Sequence, residues 1–317
     1  MPIRRNVKVR ALLVGMGVSI GARGAVASDL LPAFIIFENF QWTKPHVNGV
    51  SNRLSWIYGE AQVTKDLKVV GSYLDIPIRN VGMLRTLDEA FGELTIGDKV
   101  IRAGRFRPRF GFGDWSELAY VPIIAQPMAR TQAMNGLALQ RFDTGLDVQG
   151  NIGDAQYQVG LVDTANDKWV LAPNHLDHAI GRLQLMIGDL MLGFNGLTRL
   201  NRGEQRDTIG GLDFRWTCPQ WQVRGELVKG FDRGGNGEGA YIDVFFRPPG
   251  WFHTQLGART EFFRNAAGKR FHLNVVGIRQ TLNKELVLTA NYGWGSQAGP
   301  PAGSRGLLVQ VMTAVRF

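Results

Sequence analysis

The feature that most limits what this chain can become is a repeated alternation. Segments of about ten residues, in which apolar and polar side chains take turns, recur from end to end and are separated by turn residues. Sixteen can be marked, over 33–42, 53–63, 67–77, 88–96, 99–106, 136–150, 154–163, 178–187, 189–198, 206–217, 221–231, 239–248, 251–264, 270–282, 285–294 and 306–317. No stretch shows a 3.6-residue period over three turns. A period of two sends successive side chains to opposite faces of a strand. An even number of such strands predicts an all-β fold, a closed antiparallel transmembrane β-barrel of about sixteen strands.

The connections support this. One set is very short: Thr64-Lys65-Asp66, Gly97-Asp98, Asn151-Ile152-Gly153, Gly188-Asp189, Cys218-Pro219-Gln220, Pro249-Gly250 and Asn283-Lys284. The other is longer: 43–52, 78–87, 107–135, 164–177, 199–205, 232–238, 265–269 and 295–305. Short periplasmic turns alternating with longer external loops are the barrel arrangement. Proline has no N–H for a ladder, and none falls in the middle of a segment: Pro77, Pro108 and Pro248 sit at or just past strand ends, Pro122, Pro219 and Pro249 in connections.

The alternation also predicts which face is wet. Leu146, Val148, Trp221, Val223, Leu227, Ile242, Val244, Phe252, Leu256, Ala258 and Phe262 are expected toward lipid. Asp143, Asp147, Gln149, Arg224, Glu226, Asp243, His253, Gln255, Arg259 and Glu261 are expected to line the lumen. A lipid-facing Arg or Lys at the midplane costs about 2–4 kcal/mol, so this concentration of charge on one face predicts a hydrated interior. Trp42, Tyr58, Trp216, Trp221, Tyr241, Trp251, Tyr292 and Trp294 lie near segment ends, as interface girdles do. A soluble β-sandwich would explain one wet face but neither the strand number nor the two ends.

Those ends are informative. A basic stretch (Arg4, Arg5, Lys8, Arg10) precedes an apolar run from Ala11 to Ala22 and the small-residue pattern Ala25-Val26-Ala27, so residues 1–27 are expected to be a cleavable signal peptide and 28–317 the barrel domain. Removing Arg4, Arg5, Lys8, Arg10 and Arg23, with no acid, takes the formal net charge from +9 to +4. Without a basic stripe interleaved with aromatics, nothing points to nucleic acid. The last strand alternates through Val309, Val311, Thr313, Val315 and Phe317; a chain that is exported and closes on a terminal aromatic strand resembles the outer-membrane barrels of Gram-negative bacteria, in which Phe317 would serve as the signal to the barrel-assembly machinery and lipid would surround the outer face.

The third long connection, from Arg107 to about Asn135, is the longest, and a connection of this length needs a function or a place to pack. It is entered through Gly104-Arg105-Phe106-Arg107-Pro108-Arg109-Phe110-Gly111-Phe112-Gly113, carries Asp114, Trp115, Glu117, Tyr120 and Arg130, and is followed by Arg141 in Arg141-Phe142-Asp143-Thr144-Gly145. This run resembles the phosphate-selective porin O/P family, with the departure that Arg109 stands between Pro108 and Phe110. The resemblance implies a third loop folded into the lumen, passive diffusion of small hydrophilic or anionic solutes, and a homotrimer. Guanidinium groups keep their charge and present forked donors to phosphate or carboxylate. Arg105, Arg107, Arg109, Arg130 and Arg141 are therefore the expected constriction, giving a mild anion preference; pairing of each with Asp114, Glu117, Asp143 or Asp147 is the competing structural role.

Other chemistry finds little support. The single cysteine, Cys218, excludes an internal disulfide and haem attachment through CxxCH, and no cofactor is implied. No GxSxG elbow exists for a hydrolase, and no enzyme is expected. His175 and His178 with Asp177 could form a weak surface metal site, although a solvated loop is the plainer reading; His253 and His272 are candidate lumen neighbours, and the glycines of 234–239 read as a flexible loop. Two alternatives stay open: a barrel sheath around a partner such as an electron-transfer conduit, which needs a wide lumen without an infolded loop, and an outer-membrane hydrolase, which needs a Ser–His contact.

Overall fold

The computed structural model describes residues 33–43, 46–78, 82–111, 122–123, 143–163, 176–200, 208–232, 235–251, 253–264, 268–283, 286–296 and 306–316. Arg130, Arg141, His175 and Phe317, residues 1–27 expected as a signal peptide, and the side chains of Asp143, Trp42 and Tyr58 lie outside what is described.

The strands are β1 (Ala33–Thr43), β2 (His46–Gln62), β3 (Leu67–Ile78), β4 (Gly82–Ile96), β5 (Lys99–Phe106), β6 (Asp143–Ile152), β7 (Ala155–Asp163), β8 (His178–Ile187), β9 (Leu190–Arg199), β10 (Thr208–Thr217), β11 (Trp221–Asp232), β12 (Gly235–Phe246), β13 (Thr254–Arg264), β14 (Arg270–Thr281), β15 (Leu286–Ser296) and β16 (Gly306–Arg316). Each pairs antiparallel with its sequence neighbours, and β1 pairs with β16 from Ala33↔Arg316 to Thr43↔Gly306, which closes the sheet. Closure leaves no edge strand, the condition for crossing a bilayer with strands.

The tight turns follow from residue type. Gly97, Gly153 and Gly188 open three Gly-Asp turns with φ of 62°, 57° and 58°. Glycine enters this left-handed region without Cβ crowding, and hairpins need it there because it matches the twist of the flanking strands. At the turn between β2 and β3 the Thr64 hydroxyl instead accepts the amides of Asp66 and Leu67, at 3.2 and 3.0 Å.

The two faces separate as alternation requires. Leu146, Val159, Leu183, Phe194, Leu212, Leu227, Ile242, Phe262, Val276 and Leu288 are exposed on the outer face. Trp216, Trp221 and Trp251 are exposed beside the short turns, and the Trp221 ring stacks on Phe246 at 4.3 Å. Tyr241 is a correction to the expected girdle: it points inward, 3% exposed, and donates to Glu226 Oε2 at 3.2 Å. Its neighbours in register, Glu226 and Glu261, share that inward face.

The glycines expected as a flexible loop are also corrected in part, since Gly235, Gly237 and Gly239 belong to β12, paired with Asp232, Gly230 and Val228. A ladder needs only backbone groups, so glycine joins it while erasing the alternation by which a strand is read.

Candidate functional site

The inward face is layered along the barrel axis. Toward the long connections, Val70, Phe91, Phe106, Val162, Ile180, Leu197, Ile209, Val228 and Phe263 form one apolar cluster that includes Phe110 of the third connection. Below it lies a layer of guanidinium–carboxylate pairs. Toward the short turns, β6 to β8 carry carboxamides on this face.

The third connection reaches this interior. After β5 the chain leaves its own wall, and the Gly111 amide donates to Asn195 Oδ1 on β9 at 3.1 Å. The Phe110 ring lies in the recess at Gly211 on β10, and a Cβ on Gly111 would overlap the Glu226 carboxylate on β11. Farther on, Pro122 and Ile123 are buried against the wall. Pro122 fills the space that side chains at Gly257 and Gly277 would need, and Asn291 Nδ2 donates to the Pro122 carbonyl at 2.6 Å. Ile123 packs with Phe245 and Val275. Strands β9 to β15 are far from β5 around a sixteen-strand ring, so a connection that touches them from the inner face crosses the lumen.

The layer of pairs has three parts. Arg102 on β5 forks onto Asp147 on β6, Nε to Oδ1 at 3.0 Å and Nη2 to Oδ2 at 2.5 Å, and Gln158 donates to the same carboxylate. Arg182 on β8 forks onto Asp213 on β10 at 2.7 and 2.9 Å, with Asn195 Nδ2 donating to Oδ2 at 2.6 Å. Asp243 on β12 takes Arg224 Nε at 3.0 Å and both Arg259 Nε and Nη2, at 2.6 and 2.9 Å. Ring faces cover the cations: Arg102 lies 4.7 Å from the Phe106 centroid, and Arg224 and Arg259 each lie 5.1 Å from Phe245 and Tyr241 respectively. Forked, desolvated pairs of this kind hold geometry more than they add stability.

These contacts revise the expected lumen. Asp147, Arg224, Glu226, Arg259 and Glu261 face inward as alternation predicts, but none is more than 4% exposed. The third connection and the apolar cluster beside them displace the water that a bare inner wall would meet. Arg102, Arg182, Asn195 and Asp213, which complete the networks, escaped the sequence reading. Their signal was present, since Ile180-Arg182-Gln184 and Ile209-Asp213-Arg215 keep the inward parity, but nothing in the spacing pairs residue 182 with residue 213.

The candidate constriction arginines separate. Arg105 is paired with Ala90 and Thr144 and lies on the outer face, opposite in parity to Arg102 and Phe106, so it does not address the lumen. Arg107 follows β5 and is half-buried. Arg109 is exposed and makes no ion pair among the described residues. Its charge is felt by Arg102, Asp147, Arg182 and Glu93 on four inward-facing strand positions, and partial desolvation, followed by the Arg102 guanidinium, holds its pKa below the usual arginine value.

The histidines are placed differently from expectation. His178 opens β8 facing inward, 2% exposed, with Nδ1 2.6 Å from Asp177 Oδ1, while Arg199 Nε lies 3.2 Å from Oδ2 of the same carboxylate. It is thus buried and hydrogen-bonded to Asp177 as the first residue of β8, rather than part of a solvated loop. No group of three metal-ligating side chains occurs among the described residues. His253 sits at the turn before β13, whereas His272 pairs with Phe262 on the outer face, so the two are not lumen neighbours.

No family model matches the chain, and no curated protein matches it by sequence. Solved structures do match in fold. OmpF of Salmonella typhi, in a complex with daunomycin, superposes with a TM-score of 0.67 at 10% identity, over 90% of this chain and 97% of that one. The anion-selective porin of Comamonas acidovorans gives 0.64 at 13% identity, over 91% and 99%. OmpT, an outer-membrane protein of Vibrio cholerae in a trimer form, gives 0.64 at 10% identity, over 92% and 100%. The chain is similar to these outer-membrane barrels along nearly its whole length, and the likeness is one of fold.

Proposed function

We propose that this chain is an outer-membrane porin, a channel through which small hydrophilic solutes diffuse passively, with a mild preference for anions. The observation that carries the reading is the third connection seated inside a closed sixteen-strand barrel, bonded to the inner wall at Asn195 and again at Asn291. A connection held across a lumen narrows it without a moving part. The same seating weakens the sheath alternative, which needs the lumen clear for a partner. The fold likeness to porins, one of them described as anion-selective and another protein in the comparison as a trimer, supports a channel and a homotrimer for this chain as well.

Arg109 is the residue on which the anion preference rests. Arg102 and Arg182 each fork onto a carboxylate of their own, and Arg224 and Arg259 share that of Asp243. Arg109 is exposed inside the same ring of strands, where a guanidinium attracts an entering anion more strongly than it would in bulk water. Near a protein surface two unit charges 4 Å apart interact by about 4 kcal/mol before screening, and an open lumen retains only part of this.

The test is single-channel conductance in a planar bilayer under a KCl gradient, with the chain lacking residues 1–27. Stable open steps with an anion-biased reversal potential are expected. Arg109→Ala should lower the anion-to-cation permeability ratio about fivefold, the equivalent of about 1 kcal/mol. A barrel that never opens sinks the channel; open steps with unchanged selectivity in the variant remove Arg109 from the filter.

A further inference from the structure

Below the charged pairs, the inner wall of β6 to β8 carries a row of glutamines. Gln149 stands directly opposite Gln158, and Gln156 directly opposite Gln184, on neighbouring strands. Gln184 Nε2 donates to Gln156 Oε1 at 3.3 Å, and Arg182 Nη2 donates to Gln184 Oε1 at 3.4 Å. Gln149 accepts from the Arg102 guanidinium through its carbonyl oxygen, and Gln158 donates to the Asp147 carboxylate. Gln158 is buried by this, but Gln149 and Gln184 are half-open and Gln156 is exposed. The row therefore presents carboxamides to the lumen directly beneath the pairs that Arg109 overlooks.

Each carboxamide offers two N–H donors and a carbonyl acceptor. A hydroxyl both donates and accepts, so a polyol matches such a row at every step, whereas an aliphatic chain leaves the amides without partners. Inward-facing residues on one strand repeat about every 7 Å. That is comparable with the carbon chain of a six-carbon sugar acid. Arg109 lies on the connection that leaves β5, and its charge couples to Arg102, Asp147 and Arg182, the pairs that adjoin the row; the neutral carboxamides run from those pairs toward the short turns. Resting on the porin reading, we infer that this sector is a binding track for polyhydroxylated anions of the sugar-acid class, with the carboxylate held at Arg109 and the hydroxyls handed along Gln149, Gln156 and Gln184.

The track selects by lost pairing rather than by size. Hexanoate has the same carbon number and charge as gluconate but no hydroxyls. A site built to bond hydroxyls discriminates strongly against an analogue that lacks them, because its own polar groups are then desolvated without compensation.

The experiment is current block in the planar bilayer by gluconate and by hexanoate, for the unaltered chain, the double variant Gln156→Leu/Gln184→Leu, and the polar single variant Gln184→Ser as a milder change. Gluconate should half-block at a concentration at least tenfold below hexanoate. Each removed glutamine should raise the gluconate value about fivefold and leave hexanoate unchanged. A urea midpoint matching that of the unaltered chain shows that each variant is folded; if the double variant does not fold, Gln184→Ser carries the comparison. Equal block by the two anions, or gluconate block indifferent to the glutamines, overturns the track while the porin stands. If no open steps are seen, the porin reading fails, and titration calorimetry of the refolded barrel with the same two anions decides the track alone: a gluconate-specific heat reduced by Gln184→Ser supports it, and its absence overturns it.

Discussion

Two clusters of charge on the inner wall use the same residue types to opposite effect. At β11 to β13, Asp243 is 0% exposed and lies between Arg224 and Arg259. At β2 to β4, Lys68 lies between Glu93 at 2.9 Å and Glu60 at 3.9 Å, and their side chains keep 29%, 23% and 33% of their exposure. Both groups face inward on neighbouring strands. What differs is cover: the first has aromatic rings over its cations and Pro122 with Ile123 seated beside it, and the second opens on solvent. A buried carboxylate between two guanidiniums fixes the wall, and removing it strands two desolvated cations. An open ammonium between two carboxylates is screened and its side chains are mobile, so it contributes little to stability and more to the field a passing ion meets.

The largest expected effect separates these roles. Asp243→Asn keeps the shape and removes the one carboxylate charge that Arg224 and Arg259 share, so it should destabilise the barrel by about 3–5 kcal/mol. The urea midpoint of the refolded barrel in detergent reads this directly. A midpoint shift equivalent to less than about 1 kcal/mol would break the comparison by showing the buried network to be as dispensable as an exposed pair.

A smaller effect tests the cover itself. A methyl group at Gly277 would meet the Pro122 carbonyl and the Asn291 amide. Gly277→Ala should cost about 1–3 kcal/mol through overpacking, and much of that should be relieved by lifting the third connection from its seat. The readout is therefore double: a lower urea midpoint together with a larger single-channel conductance. Loss of stability at constant conductance would mean that the segment around Pro122 packs without narrowing the pore.

How much of this was legible beforehand depends on which property the residues had to satisfy. Strand positions were readable because lipid imposes a strict rule on every second side chain, so β5, β7, β8 and β9 fall within one residue of the expected segments. The same rule would have placed Arg105 outside the lumen, since it is separated from Arg102 by an odd number of positions; the arginine-rich run around it drew it into the constriction instead. Burial was not legible, because alternation says which side Asp147 or Glu226 faces and not what lies over it. Nor was partner choice: the fork from Arg182 to Asp213 joins strands that are two apart in the sheet. The glycines at 211, 257 and 277 read as gaps in the pattern, and only the third connection lying in those gaps shows why a side chain is missing.

The smallest expected effect sits on the open side. Lys68→Met keeps the apolar stem and deletes the charge between Glu60 and Glu93. With all three side chains half-open, the lost pairing should cost less than about 1 kcal/mol in the urea midpoint. The freed carboxylates should instead shift the reversal potential toward cations, by less than Arg109→Ala does because Lys68 is already paired with Glu93 and Glu60, and raised ionic strength should suppress the shift, since the Debye length falls from about 10 Å at 0.1 M to about 3 Å at 1 M salt. A stability loss above about 2 kcal/mol would place Lys68 with the wall-fixing cations and erase the contrast with Asp243. A salt-sensitive change in selectivity at unchanged stability would sharpen it, because cover by the third connection, rather than residue type, would then decide which inward charges hold the barrel and which ones meet the solute.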